Sequence, residues 1–214
     1  MKKTLKYILS IAALTAALTL PAKATFSITP QPIAEPPHSE KFFIDNANKN
    51  VSSFTGTVGG HVGQDVTVTT TGNVNTGAGF AEIKPDLHTR QLLTDLIFTP
   101  SNPNLFGDFN FRGQLVGAGS VDITVTDNQG NPSQTFTFGP FTKDEDFGRI
   151  GIFSADGETI KSVEINLVGG DTFKEVKQIA FSGGIAATPD GGATVMLLGA
   201  ALSVLGMARR YLKS

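Results

Sequence analysis

The sequence predicts an all-β protein: an antiparallel β-sandwich or jelly roll, with an N-terminal signal peptide and a single C-terminal transmembrane helix. Three observations predict the β core. Apolar and polar residues alternate with period two in run after run, Gly- and Asx-rich turns punctuate the runs, and no stretch between them sustains a helical period.

The elements follow in chain order. Lys2, Lys3 and Lys6 give a positive start, Tyr7 to Leu20 is almost wholly apolar, and Ala22 and Ala24 put small residues where signal peptidase cuts. Residues 1–24 therefore read as a signal peptide removed after Ala24. A Pro-rich lead-in, 25–41, comes next. Pro30, Pro32, Pro36 and Pro37 forbid helix and favour extended chain, as a linker or a first edge strand.

Residues 42–187 form the expected ectodomain. In QDVTVTTT, Val66 and Val68 alternate with Asp65, Thr67 and Thr69, the pattern of a strand with one face buried and one wet. The same period recurs at Phe109, Phe111 and Leu115, at Val121, Ile123 and Val125, at Phe136 and Phe138, and at Ile150 and Ile152. It returns at Val163, Ile165 and Leu167 and again at Ile179 and Phe181. Asp127 to Asn131 and Ala155 to Glu158 carry the Gly and Asx chemistry of hairpin turns, which predicts two antiparallel pairs.

Composition narrows the function. From Thr25 to Thr188 there are ten Lys and Arg against eighteen Asp and Glu, a formal charge of −8. An acidic surface without a basic stripe argues against nucleic acid, whose phosphates need clustered cations. Cysteine is absent, so thiolate chemistry and Cys-type zinc sites are excluded and packing alone must hold an exported domain. Trp is absent and both tyrosines lie in the terminal segments. The ectodomain's aromatics are thus Phe, which lacks a polar handle and favours the core.

No catalytic signature emerges. His38, His61 and His88 show no metal-ligand spacing, and Asp86, His88 and Ser52 or Ser53 make a triad only if geometry converges them. Gly77 and Gly79 lack the third glycine and following helix of a dinucleotide fingerprint. Asp127 to Asn131 departs from the calcium-loop pattern at its third and fourth places. The densest acidic run, Lys143 to Asp146, offers Asp144 and Asp146 as weak candidate ligands for Ca²⁺, and no other cofactor is called for. A polysaccharide lyase or hydrolase needs paired acids, for which Glu82 with Asp86 and Glu164 with Glu175 are the candidates. The chain reads as a non-enzyme.

The tail, 188–214, is more specific. Pro189-Asp190-Gly191-Gly192 precedes Ala193 to Ala208, sixteen uncharged residues that reach about 24 Å as a helix. That is short of a bilayer core of roughly 30 Å, a mismatch that Arg209, Arg210 and Lys213 relieve by snorkelling. Arg209 and Arg210 form the membrane stop and place the β domain outside. This order of parts resembles the C-terminal sorting signal of the VPDSG-CTERM type, a relative of PEP-CTERM, with Thr188 in place of the first Val and Gly191 in place of Ser. The resemblance implies an exosortase substrate, a precursor anchored in the inner membrane through 193–208. It implies cutting near the motif Thr188, Pro189, Asp190, Gly191 and Gly192, then release or attachment at the cell surface.

The expected function is therefore an exported, non-enzymatic surface or matrix protein of a biofilm or exopolysaccharide layer. Its expected partners are signal peptidase, exosortase and exopolysaccharide. The alternative is a lectin-like carbohydrate-binding module, with Ca²⁺ assisting.

Overall fold

The computed structural model describes residues 26–29, 40–59, 64–86, 91–154, 158–169 and 172–183. They form strands only: β1 (Phe26–Thr29), β2 (Glu40–Ile44), β3 (Val51–Val58), β4 (Asp65–Thr76), β5 (Gly79–Phe80), β6 (Glu82–Pro85), β7 (Asp95–Pro100), β8 (Phe106–Leu115), β9 (Gly119–Asp127), β10 (Gln134–Phe141), β11 (Asp146–Ser154), β12 (Ile160–Val168) and β13 (Phe173–Gly183). No helix among the described residues is long and apolar enough to cross a membrane. The expected signal peptide and the 193–208 helix lie outside them.

Every pairing is antiparallel, along the path β1-β11-β8-β13-β2-β3-β4-β7-β12-β9-β10. Strands β2, β5 and β6 make the corner, because β2 joins β13 to β3 and β6 joins β13 to β4. The path thus doubles back into two layers, β1-β11-β8-β13 and β3-β4-β7-β12-β9-β10, with the core between. Ring contacts across the gap show it: Phe98 of β7 lies 5.1 Å from Phe109 of β8 and 6.4 Å from Phe181 of β13. Fold class and alternation are as the sequence predicts. Val66, Val68, Phe109, Phe111, Val121, Ile123, Val125, Ile150, Ile152, Val163, Ile165, Ile179 and Phe181 are all buried, while Leu167 and Phe136 pack against this core partly covered.

One expected pairing is wrong. Asp127–Asn131 does close a β9–β10 hairpin. Asp127 shapes it, its Oδ1 accepting from the backbone N–H of Gln129 at 3.1 Å and of Asn131 at 2.9 Å, an Asx arrangement that occupies the carboxylate. Strands β11 and β12, either side of 155–158, do not pair. β11 lies between β1 and β8, and β12 between β7 and β9, in the opposite layer. Turn-forming residues mark a change of direction, which serves a crossing between layers as well as a hairpin.

Among the described residues the strand path ends at β1 and β10, and both ends are blunted. β1 has four residues, and β10 carries Pro140 and a register shift between Phe138 and Phe141, so neither offers a long regular ladder to another chain.

Candidate functional site

The residues singled out in the sequence do not converge. His38, His61 and His88 lie outside the described residues, as do Ala22, Ala24, Thr188 to Gly192, Arg209 and Arg210. Ser52 and Ser53 are exposed on β3, whereas Asp86 is buried and accepts from Asn75 Nδ2 at 3.3 Å. Glu164 and Glu175 are in opposite layers, on β12 and β13. Glu82 is 2.8 Å from Lys84, and Glu164 accepts from Asn166 Nδ2 at 2.8 Å. In the acidic loop, Glu145 Oε2 accepts from the Thr142 N–H at 2.6 Å and the Thr142 hydroxyl at 2.9 Å, and the Asp144 carbonyl accepts from Gln114 Nε2 at 2.7 Å. Asp146 turns away from that loop toward Arg112 and Lys177, at 3.6 Å and 3.8 Å. No group of three or more His, Asp or Glu suited to a metal occurs among the described residues. A cation between Asp144 and Asp146 would have to compete with Arg112 and Lys177 for the Asp146 carboxylate.

What the fold does assemble is a charged seam on the solvent face of β11-β8-β13-β6. Register creates it: Asp146 pairs Gln114, Gln114 pairs Glu175, Arg112 pairs Lys177, and Lys177 pairs Glu82. Residues two apart on a strand share a face, so these side chains stand opposite Phe111, Gly113 and Leu115, which turn inward. Lys177 bridges Glu175 and Asp146, and Lys84 bridges Glu82 and Glu175, at 3.7 Å from the latter. Nearby, a bulge between Lys177 and Ala180 puts Gln178 at φ 52°, and its carbonyl accepts from Arg149 Nη1 at 3.4 Å. The same guanidinium donates to Asn110 Oδ1. Asn110 is buried with its Nδ2 unpartnered, and the Nε of Arg112 is likewise buried without a partner.

These charges tune one another. The hydrogen bond from Lys177 holds the Glu175 carboxyl below its ordinary 4.5, with Lys84 adding to the effect and burial opposing it. The bond to Glu82 raises Lys84 above its ordinary 10.5. A lowered carboxyl contributes stability that is present above its unfolded value and is lost as pH falls through the folded one. A raised amine contributes stability complete below its unfolded value and lost as pH rises. Urea midpoints measured across pH are therefore expected to fall below pH ~4.5 and above pH ~10.5. Glu175→Gln should flatten part of the acid limb and Lys84→Met part of the alkaline one. Unchanged limbs in both variants would show that the seam is not coupled to folding.

The other outer face, on β3-β4-β7-β12-β9-β10, differs in kind. Apart from Ile97, the outward positions at its centre are Thr, Ser, Asn, Asp and Glu, as in Thr55, Thr67, Thr99, Asp122, Glu164 and Asn166. Sequence reasoning missed both faces as sites, because each is built by register. The T-x-T repeats at Thr67 to Thr71, Thr124 to Thr126 and Thr135 to Thr137 were the visible trace of the second.

The comparison that assigns a role concerns the tail. Residues 189–212 match the family model described as the VPDSG-CTERM motif. They are a C-terminal sorting signal of the PEP-CTERM type. The VPDSG-CTERM signal indicates an exported, membrane-anchored precursor. The match covers none of the strands, and no curated protein matches the chain. Among solved structures, a CBM29-2 mutant studied for ligand recognition by family 29 carbohydrate binding modules is 16% identical, over 75% of this chain and 93% of its own, with a TM-score of 0.34. A second family 29 carbohydrate binding module is 14% identical, over 75% and 90%, with a TM-score of 0.31. The enzymatically active domain of bacteriophage CBA120 tailspike protein 4 is 13% identical, over 76% of this chain and 19% of its own, with a TM-score of 0.29. Likenesses this loose transfer neither ligand nor activity.

Proposed function

We propose that the chain is a non-enzymatic protein of the cell surface or extracellular matrix, processed by an exosortase at Thr188 to Gly192 and retained among exopolysaccharide. The VPDSG-CTERM match at 189–212 carries the reading. A tripartite tail of this kind is consistent with a membrane-held motif in extended chain, since Pro189, Gly191 and Gly192 disfavour helix at the cut site. The non-enzymatic part is supported by the fate of the candidate acids: Glu82 and Glu175 are tied to lysines, and Glu164 and Glu175 are in different layers.

Mass spectrometry of the protein from exosortase-competent cells is expected to find a mature C-terminus between residues 188 and 192. Asp190→Ala should leave the precursor uncut and membrane-bound. Recovery of the chain intact to Ser214 would overturn the processing step.

The lectin-like reading has an observation of its own in the hydroxyl-lined outer face. In the 142–146 loop, the Glu145 carboxylate is held by Thr142 and that of Asp146 by Arg112 and Lys177.

A further inference from the structure

Strand register arranges the second outer face into rows that cross it at right angles to the strands. Thr55 pairs Thr67 and Thr67 pairs Thr99. The next position, on β12, is Ser162, since Val163 pairs Phe98. Ser162 pairs Thr126, and Thr126 shares a hydrogen bond with Ser133 at 2.9 Å. One row is thus hydroxyl throughout: Thr55, Thr67, Thr99, Ser162, Thr126, Ser133. The neighbouring row reads Ser53, Thr69, Ile97, Glu164, Thr124, Thr135, and a third holds Asp95, Asn166, Asp122 and Thr137. No Lys or Arg occupies these rows. Lys161, the nearest in sequence, sits in the bulge at the start of β12.

The β propensity of Thr explains one threonine on a wet strand face. It does not explain why hydroxyls fall in one line over six successive positions, two of them Ser, which has no such propensity. At one end the hydroxyls hold each other, Thr124 with Thr135 at 2.8 Å and Thr126 with Ser133. At the other end Thr55, Thr67 and Thr99 are exposed and hydrogen-bond to no described side chain.

We infer that this face docks an extended, uncharged polysaccharide chain laid across the strands along the Thr55 to Ser133 row. The inference rests on the proposed matrix role and names the surface and the polymer class. Spacing is the first argument. Neighbouring strands stand about 4.7–4.9 Å apart, close to the rise of one hexose in an extended β-linked chain, so each sugar meets one hydroxyl. Chemistry is the second. A hydroxyl donates and accepts, as sugar hydroxyls do, and the Thr methyls offer apolar surface to the C–H faces of the rings. Stiff β-branched side chains lose little freedom on binding, which limits the cost of association. Charge complementarity is the third. Asp95, Asp122 and Glu164 already accept from Thr71, Thr137 and Asn166, but a carboxylate has lone pairs left for neutral sugar hydroxyls, and its charge repels uronates and sulfates.

The test is affinity electrophoresis of the full-length chain in nonionic detergent, in native gels containing hydroxyethyl cellulose, galactomannan or alginate. Retardation is expected in at least one neutral gel and not in alginate. The triple variant Thr55→Val, Thr67→Val, Thr99→Val removes three hydroxyls at constant shape. Losing three hydrogen bonds to the sugar should weaken retardation about tenfold or more. The corresponding Thr→Ser triple should keep most of it, Glu175→Gln on the other layer should leave retardation relative to a polysaccharide-free gel unchanged, and unaltered urea midpoints of the two threonine triples confirm their folding. Full retardation of the valine variant, or stronger retardation in alginate than in neutral gels, overturns the inference. Retention of the valine variant on the producer's own exopolysaccharide at the native level would sink the row and leave the matrix role standing. Threonine-dependent binding to a neutral gel without retention on that exopolysaccharide would do the reverse.

Discussion

Phe98→Ala is expected to cost about 3–5 kcal/mol of folding stability, the range for removing a buried aromatic ring. Phe98 is fully buried on β7 and meets Phe42 edge-on at 6.4 Å and 85°, Phe109 at 5.1 Å and Phe181 at 6.4 Å. Those partners come from β2, β8 and β13, so one ring joins the corner and both layers. Two losses add: the apolar area returned to water, and the void left where three rings held by their own strands cannot close inward. With no cysteine anywhere in the chain, no disulfide limits the consequence. For a chain of this size each kcal/mol is about 2–4 °C, so the midpoint should fall by roughly 6–20 °C. Domains carry only about 5–15 kcal/mol in total, so this single change removes a large part of it. Phe98→Leu keeps most of the volume and should lose under half as much. Urea unfolding checks both: midpoints should drop with the slope unchanged, and a Phe98→Ala loss under ~1 kcal/mol would contradict the central place given to this ring.

Legibility in the sequence followed the range of the interactions. Strands such as Val121–Val125 and Val163–Leu167 were visible because alternation is local: each residue's face is fixed by its immediate neighbours. Pairing was not, because β11 and β12 are separated by a turn-like segment yet belong to opposite layers, and nothing in Ala155 to Glu158 says which. The same limit hid both outer faces. Lys177 and Glu175 share one face of β13, but Arg112 and Asp146 join them only once β8 and β11 lie alongside. Thr67 and Thr99 are 32 positions apart and become neighbours only through the β4–β7 register. The sorting tail was readable because its parts are contiguous, so no fold is needed to bring them together.

Gly56→Ala should be nearly as damaging as the loss of a core ring, although it adds a single carbon. Gly56 is an inward position of β3, between buried Phe54 and Val58, and pairs Val66 on one side and Ile44 on the other. A Cβ built there would lie 2.6 Å from two ring carbons of Phe42, and closer still to the carbonyl oxygen of Phe43. The glycine is required by close approach: its backbone angles are ordinary, and the Phe42 ring fills the space a side chain would take. A ring in a packed core can shift by changing its rotamer, but a carbonyl within the β2–β3 ladder moves only with its strand. The expected loss is therefore about 3 kcal/mol, the upper end for overpacking. Phe42→Leu in the same chain separates the two obstacles. If the ring were the whole obstacle, the double variant would lose little more than Phe42→Leu alone. With the carbonyl in the way as well, at least half of the Gly56→Ala penalty should persist in the double variant, and full rescue would show that β2 and β3 can part at this point.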